Sequence, residues 1–400
     1  MGLMDGVRKS LAGVLGRPAG LDSGTISSSK TTTDGRPSMA LTQQALLAAL
    51  ASVKDPLTGE DFVASGALRN LQVAGSDVAF DVELGYPAKS LVPALRSSLI
   101  AAAKGVDGVA NVSVNITTNI ASHTVQRGVQ MLPGVKNVIA VASGKGGVGK
   151  STTAVNLALA LAAEGANVGL LDADVYGPSQ PMMTGTSGQV ESVDGKLMEP
   201  KRGLGLQVNS IGFLVKDEQA MIWRGPMASQ ALEQLIRQTR WDNLDYLVVD
   251  LPPGTGDIQL TLAQKVPLTG AVIVTTPQDI ALLDAKKGIT MFQKVSVPIL
   301  GIVENMAVHI CSNCGHAEHI FGQEGGRRLA ESYHMDYLGA LPLAMSIREQ
   351  ADSGKPTVVA DPDGDVARIY KDVARKVAVR IAQQSTETAA FPSIKISKST

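Results

Sequence analysis

The sequence is poor in cysteine, nearly balanced in charge and without a long apolar run. Its 400 residues include two cysteines, Cys311 and Cys314, which excludes a disulfide framework and favours a reducing compartment. The net charge of −1 creates no overall field that would attract nucleic acid or an anionic membrane. No apolar run reaches the length of a transmembrane helix, about 20 residues. We therefore expect a soluble, cytoplasmic protein that binds neither nucleic acid nor a membrane.

The N-terminal residues 1–39 are expected to form a disordered arm. They lack the apolar core and the cleavage site of a secretory signal. They are rich in Ser and Thr, so organelle targeting by residues 1–38 stays open as an alternative, and Met39 is an alternative start.

A small α+β domain follows the arm. Strand alternation in residues 77–84 and 111–118 flanks a helical pattern in residues 90–106, and an earlier helix is expected from residue 41. The predicted division of the chain is arm 1–39, small domain 40–119, linker 120–136, larger domain 137–385 and polar tail 386–400.

The larger domain alternates short apolar strands with helices. Continuous apolar strands of this kind predict an α/β fold with a parallel sheet covered on both faces, whose functional loops lie at the carboxyl ends of the strands. The predicted strands are residues 137–143, 167–173, 244–251, 270–276 and 299–305.

A phosphate-binding loop follows the first of these strands. Residues 144–151 fit G-x-x-x-x-G-K-[S/T] and open a helix, so successive backbone N–H groups and the helix N-terminus can surround phosphate oxygens. Lys150 is expected along the β- and γ-phosphates, and Ser151 is expected to ligate Mg²⁺. The predicted nucleotide-binding residues are Gly144, Gly146, Gly147, Val148, Gly149, Lys150, Ser151 and Thr152.

A second lysine, Lys145, lies at the tip of this loop. A cation there can reach a partner's nucleotide, as an arginine finger does, or it can be an ordinary solvated lysine. Its position alone leaves both possibilities open.

Carboxylates follow two of the predicted strands. Asp172 and Asp174 end one strand, and Asp250 ends another, in the loop that contains Gly254 and Gly256. A strand-end carboxylate facing a phosphate loop suits Mg²⁺, for which Asp250 is the best candidate. We expect Asp174 to orient the attacking water.

The two cysteines form a C-x-x-C pair followed by His316 and His319. Zinc held within one chain, a redox pair and an iron–sulfur cluster are all compatible with the residues. A [4Fe–4S] cluster needs four thiolates, which a symmetric dimer would supply. We interpret His316 and His319 as polar loop residues rather than ligands.

Four segments together resemble the Mrp/ApbC family of iron–sulfur cluster carrier proteins: GKGGVGKST, DADVYGPS, DLPPGTGD and CSNCGHAEHIFG. This family consists of deviant Walker A ATPases related to MinD and the nitrogenase iron protein. The resemblance covers residues 130 to about 380. Residues 40–118 resemble a small domain of other iron–sulfur assembly factors, but the turn GYPAKSL contains no cysteine, so we assign it no cluster ligand.

The resemblance implies a SIMIBI/MinD-like fold, a homodimer and slow ATP hydrolysis coupled to transfer of a cluster to apoproteins. It implies ATP and Mg²⁺ as cofactors and a [4Fe–4S] cluster bridging two protomers. The residues that it implies are Lys145 for charge stabilisation across the dimer, Lys150 and Ser151 for phosphate and Mg²⁺, Asp174 and Asp250 for the two switches, Asn305 for adenine, and Cys311 and Cys314 for the cluster.

Three rival functions remain at this point. A MinD/ParA-like positioning ATPase shares the two-lysine loop, and the basic helix of residues 366–384 could serve as its membrane anchor. A zinc-stabilised P-loop ATPase with an unrelated client is the second rival. Nitrogenase-like electron transfer is the third, although its iron protein takes its cluster cysteines from separate segments.

Overall fold

The computed structural model describes residues 41–123, 129–192, 195–214, 225–311 and 313–389. The predicted arm and the chain beyond residue 389 lie outside the described residues. The helices are α1 (Gln43–Leu50), α2 (Val92–Lys104), α3 (Lys150–Ala163), α4 (Gln180–Thr184), α5 (Gly225–Arg237), α6 (Asp257–Lys265), α7 (Asp279–Lys294), α8 (Gly325–Ser332), α9 (Met345–Asp352), α10 (Thr357–Ala360) and α11 (Asp365–Ala389). The strands are β1 (Leu68–Ala74), β2 (Asp77–Leu84), β3 (Asn111–Thr118), β4 (Val135–Ala142), β5 (Val168–Asp172), β6 (Lys201–Gly203), β7 (Leu206–Ser210), β8 (Leu244–Asp250), β9 (Gly270–Thr275), β10 (Ile299–Glu304), β11 (His309–Ile310), β12 (Ala317–Glu318) and β13 (Tyr337–Ala340).

The N-terminal part forms a three-stranded sheet in the order β1-β2-β3. β1 is antiparallel to β2, and β2 is parallel to β3. Alternate residues of β2 are buried, as expected of a strand with one covered face: Val78, Phe80, Val82 and Leu84. The two predicted strands have the expected bounds. β1 was not predicted, because five of its seven residues are exposed and its apolar signal is weak.

The larger part contains an eight-stranded sheet within the described residues, in the order β13-β10-β9-β4-β8-β5-β7-β6. Its strands are parallel except β6, which is antiparallel to β7. The five predicted strands form the contiguous centre of this sheet. The sequence analysis missed β6, β7 and β13 towards its edges. In β7 the buried polar side chains are held by hydrogen bonds that the sequence does not reveal, such as Asn209 Nδ2 to Thr239 Oγ1 at 2.7 Å.

Helices cover both faces of the large sheet, which confirms the predicted fold class. α3 and α11 lie on one face, and α5, α6, α7 and α8 lie on the other. α11 buries Tyr370, Val373 and Val377 against its neighbours, so its apolar side is already covered. It continues to Ala389, beyond residue 384, where its predicted amphipathic stretch ended. No helix in the described part of the chain is long and apolar enough to cross a membrane.

Candidate functional site

The phosphate loop connects β4 to α3 and depends on glycine at two kinds of position. Gly149 precedes the helix with φ of 80°, and a Cβ there would lie 2.1 Å from Asn305 Nδ2. A Cβ on Gly144 would lie 2.1 Å from the backbone of Asp284. Left-handed backbone and close approach each exclude a larger residue. The predicted loop therefore has its expected place, between a strand end and a helix N-terminus.

A cleft of about 440 Å³ opens above this loop. The phosphate loop and Asp174 line one side of the cleft. The opposite wall comes from the segment that joins β13 to α9 and from α9 itself, including Leu343, Ile347 and Arg348. The cleft therefore combines backbone N–H donors, charged groups and apolar surface, as a nucleotide site requires.

Lys150 lies at the foot of the cleft, where its ammonium contacts carboxylates from two strand ends. It forms a short ion pair with Asp250 Oδ1 and lies 3.7 Å from Asp174 Oδ2 and 3.2 Å from Ser151 Oγ. Lys150 and Asp250 are both buried. The structure thus brings together four predicted site residues: the phosphate-loop lysine and serine and the two strand-end aspartates.

Burial and neighbouring charge raise the pKa of two aspartates in this site, Asp172 and Asp174. Asp172 lies directly opposite Asp250 in the register of β5 and β8. Burial, followed by the charge of Asp250, raises the pKa of Asp172 to about 7. Burial also raises the pKa of Asp174, and Lys150 opposes this shift. Lys150 is thus the cation that holds several carboxylates in place.

Sequence reasoning missed two residues that organise these carboxylates. The backbone N–H of Gln180 donates to Asp172 Oδ2 at 3.0 Å, and the Ser210 hydroxyl donates to the same oxygen at 3.0 Å. The Gln180 side chain donates to Asp250 Oδ2 at 2.9 Å. The available signal was the Ser-Gln-Pro run after the strand-end aspartates, since proline is common in the first turn of a helix.

Asn305 follows β10 and lies beneath the phosphate loop. Its Nδ2 donates to the Val148 carbonyl at 2.8 Å, and its Oδ1 accepts from the backbone N–H of Met306 at 2.9 Å. The side chain therefore supports the phosphate loop, a role that the sequence did not suggest. Its predicted contact with adenine stays a prediction, and Asn305 does line the cleft.

Lys145 is exposed at the tip of the loop. Its side chain forms no ion pair with any described residue, while its backbone carbonyl accepts a hydrogen bond from Ser143 Oγ at 2.9 Å. The Lys145 ammonium is therefore not part of the ion pairs around Lys150. That arrangement is compatible with the predicted reach into a second protomer.

The cysteine pair lies on a short hairpin formed by β11 and β12. Cys311 N–H donates to the His316 carbonyl, and Gly315 N–H donates to the Cys311 carbonyl, both at 2.9 Å. Both thiols are free, and Cys314 is exposed. The backbone N–H of Cys314, then that of Asn313, lowers the pKa of Cys311 and favours its thiolate.

The described residues contain no assembled site for zinc held within one chain. Across the ranges that the structure describes, no group of three or more Cys, His, Asp or Glu side chains is placed to hold a metal ion. His319 Nδ1 instead contacts the Ala307 carbonyl at 2.7 Å.

Hydrogen bonds connect the hairpin to the wall of the cleft. His309 Nδ1 contacts the Leu343 carbonyl at 3.0 Å, and Leu343 N–H donates to the Val308 carbonyl at 2.8 Å. Ala307 N–H donates to the Leu341 carbonyl at 3.0 Å. Since Leu343 also lines the cleft, the cysteine hairpin and the candidate nucleotide site share a wall.

The fold and the phosphate loop define the protein as a P-loop NTPase. A family model described as NUBPL iron-transfer P-loop NTPase matches residues 134–378, and one described as iron-sulfur cluster assembly protein matches residues 43–115. The chain belongs to the NUBPL-type iron-transfer P-loop NTPases, the Mrp/ApbC family predicted from its motifs.

Curated relatives and a solved structure agree with this assignment. The iron-sulfur cluster carrier protein of Escherichia coli is 54 % identical over 338 residues, which are 84 % of this chain and 91 % of that protein. The mouse iron-sulfur cluster transfer protein NUBPL is 54 % identical over 252 residues, 62 % of this chain and 79 % of that protein. A nucleotide-binding protein from Archaeoglobus fulgidus, solved with ADP, is 38 % identical with a TM-score of 0.51, covering 58 % of this chain and 90 % of its own.

Proposed function

We propose that the protein is an ATP-dependent carrier that holds a [4Fe–4S] cluster between two copies of the chain and delivers it to apo iron–sulfur proteins. The observation that carries this proposal is the pair of free cysteines on a hairpin hydrogen-bonded to the wall of a P-loop cleft. Neither feature alone would suggest a carrier. The two free thiols also suit a reducing compartment such as the cytoplasm.

ATP is the proposed nucleotide. The phosphate loop would bind its phosphates through backbone N–H groups, and Lys150 would exchange its carboxylate partners for the β- and γ-phosphates. The ADP seen in the relative from Archaeoglobus fulgidus supports this assignment. Asn305 is the proposed adenine contact, from its position on the cleft wall.

The oxygen groups around Lys150 fit Mg²⁺. Ser151 Oγ, Asp250 and Asp174 supply a hydroxyl and carboxylates, the ligands that this hard cation prefers. Ser151 would hold the ion, and Asp250 would hold its water shell. When bound, Mg²⁺ neutralises charge on the phosphates.

Hydrolysis is assigned to groups on this chain and its partner. Asp174 would orient the attacking water, because it lies at the cleft wall and beside Lys150. Lys145, exposed at the loop tip, would stabilise charge on the partner protomer's nucleotide.

The cluster is the cargo, and its ligands require a second copy. Four thiolates hold a [4Fe–4S] cluster, and each chain supplies Cys311 and Cys314. Exposed apolar residues near the hairpin would be covered in such a dimer. Ile310 and Ile320 are 57 % and 51 % exposed, and Ile280 at the start of α7 is 64 % exposed.

Anaerobic reconstitution with ferrous iron and sulfide tests the cargo, with a zinc-only sample as control. We expect about four irons per dimer, a visible cluster spectrum and loss of both in Cys311→Ala. Lys145→Ala should keep the cluster but lose the effect of ATP on transfer to an apoprotein. Zinc at one per monomer, without a labile cluster, would refute the carrier function.

A further inference from the structure

Gln180 has the features of a residue built to hold the metal-binding groups. Its side chain is fully buried at the start of α4. Its Nε2 donates to the Ser151 carbonyl at 3.0 Å and to Asp250 Oδ2 at 2.9 Å. Its backbone N–H donates to Asp172. One residue therefore connects the phosphate loop and both strand-end carboxylates that face each other.

The orientation of the Gln180 amide is fixed by its partners. The Ser151 carbonyl and the Asp250 carboxylate only accept hydrogen bonds, so the nitrogen must face them. The oxygen, Oε1, is then left on the other side of the amide. It is buried and finds no donor among the residues that the structure describes.

A buried amide oxygen in this position calls for a donor. The amide nitrogen of the same side chain contacts the Ser151 carbonyl and Asp250, residues that also fit Mg²⁺, and Mg²⁺ usually keeps several of its waters. A metal-bound water donates hydrogen bonds and accepts none while its lone pair faces the ion. Such a water would supply the donor that Oε1 lacks among the described residues.

We infer that Gln180 is a positioning residue for Mg²⁺: its Oε1 accepts from a metal-bound water while its Nε2 fixes Asp250 against the phosphate loop. This inference rests on the nucleotide half of the proposed function. Gln180 would then place the segment that follows Asp172 and Asp174 in the outer shell of the metal. Metal binding and the position of this segment would affect each other through the Gln180 side chain.

The test is metal affinity at fixed nucleotide. The full chain is stripped of metal with EDTA, the chelator is removed, a fluorescent ADP analogue is bound, and Mg²⁺ or Mn²⁺ is then titrated, with Mn²⁺ also followed by its electron paramagnetic resonance signal. Gln180→Met keeps the side-chain volume and removes both amide functions. We expect its metal affinity to fall about 10–100-fold, while its affinity for the analogue in EDTA is unchanged.

Gln207→Met is the matched control. Gln207 is also a buried glutamine, but its amide bonds Asp242 near the start of β8, away from the phosphate loop. The control should leave metal affinity unchanged. Should Gln180→Met fail to fold, Gln180→Asn, which keeps the amide but withdraws it by one methylene, is expected to show the same selective loss.

Two results would overturn the inference. Equal metal affinity in the folded variant and the native chain would show that Gln180 only packs. Equal losses of affinity for the ADP analogue with and without metal would show that Gln180 only supports the phosphate loop. A native chain that binds no ADP analogue at all would instead refute the nucleotide half of the proposed function.

Discussion

At the scale of single residues, the site is a cluster of charges that depends on one cation. Asp172 and Asp250 face each other on neighbouring strands, and Asp174 lies nearby. Lys150 is the ammonium that contacts two of them. In the proposed function, phosphate binding would draw this ammonium towards the nucleotide, and Mg²⁺ would compensate the carboxylates that Lys150 leaves.

Lys150→Met should destabilise the protein as well as prevent nucleotide binding. It leaves Asp250 buried without its cation, a change that typically costs about 3–5 kcal/mol in the free energy of unfolding. Lys150→Met combined with Asp250→Asn should recover much of the stability and none of the nucleotide binding. Urea unfolding of the two variants without nucleotide measures the difference. Equal stability of the two variants would contradict the role assigned to the ion pair.

Asp172 should make stability fall as pH rises. Its pKa of about 7 in the folded protein exceeds the ordinary value of 3.8, so between these values the folded state binds more protons than the unfolded state. The free energy of unfolding should therefore decrease from about pH 4 to about pH 7 through this group. Asp172→Asn should be less stable at low pH and lack this contribution. Unfolding midpoints in EDTA across that range provide the check, and parallel pH profiles would contradict it.

A comparison of alanine substitutions at Gly149 and Gly147 separates the cost of backbone strain from the cost of a close contact. Both have φ near 80°, at 80° and 82°, but a Cβ on Gly147 meets nothing within 4 Å. Gly147→Ala should therefore lower the free energy of unfolding only by the strain of the left-handed backbone, about 1–2 kcal/mol. Gly149→Ala should cost more, because its methyl group displaces Asn305. Adding Asn305→Ala to Gly149→Ala should recover part of this additional loss of stability. Equal losses of stability in the two glycine variants would show that the contact with Asn305 is relieved without cost.

At the scale of elements, the sequence predicted the features that local residue patterns determine. It missed the features that depend on contacts between distant parts of the chain. The phosphate loop and the five central strands carry dense local signals, namely spaced glycines and continuous apolar runs. β7 contains buried polar residues, Gln207 and Asn209, whose partners are 30 or more residues away in the chain. Gln180 and the support that Asn305 gives to the phosphate loop depend in the same way on distant strand ends.

The cysteine hairpin is held by two histidines, His309 and His319, of which the sequence analysis interpreted only His319, as a polar loop residue. In each bond to a carbonyl, Nδ1 must carry the proton and donate. His309 connects the hairpin to the cleft wall, and His319 connects its other arm to Ala307. The hairpin is therefore hydrogen-bonded to the wall of the cleft in which the proposed nucleotide would bind.

His309→Ala and His319→Ala should uncouple cluster transfer from ATP. Neither histidine is a proposed cluster ligand, so iron content should stay at about four per dimer. Each lost hydrogen bond, about 1 kcal/mol, should reduce the acceleration of transfer by ATP about fivefold. His334→Asn, on an exposed turn after α8, is the control, since Asn tolerates its positive φ of 52°. Unchanged acceleration in both alanine variants would show that the coupling takes another route.

At the scale of the whole molecule, the small N-terminal sheet is attached to the helix that begins at the phosphate loop. Glu164 follows α3 and accepts from Ser90 N–H at 2.9 Å and from the Ser90 hydroxyl at 2.6 Å. Arg375 of α11 donates to Glu164 at 2.6 Å and to the Ser90 hydroxyl at 2.8 Å. Glu164 and Arg375 are 2 % and 9 % exposed. Three parts of the chain therefore meet at one buried carboxylate.

Breaking this junction should loosen the small sheet and leave the phosphate loop intact. Glu164→Ala leaves the buried Arg375 with Asp372 as its one remaining acidic partner among the described residues, so the free energy of unfolding should fall by about 3 kcal/mol. Hydrogen exchange should then rise in residues 85–91, while ADP affinity stays unchanged. Glu164→Met with Arg375→Met should recover most of the stability, since no buried charge is left unpaired. Glu199→Ala, which removes an exposed pair with Arg240, should change neither quantity. If Glu164→Ala weakens ADP binding as strongly as it raises exchange, the junction and the nucleotide site form one cooperative unit, and the small sheet acts on the phosphate loop through α3.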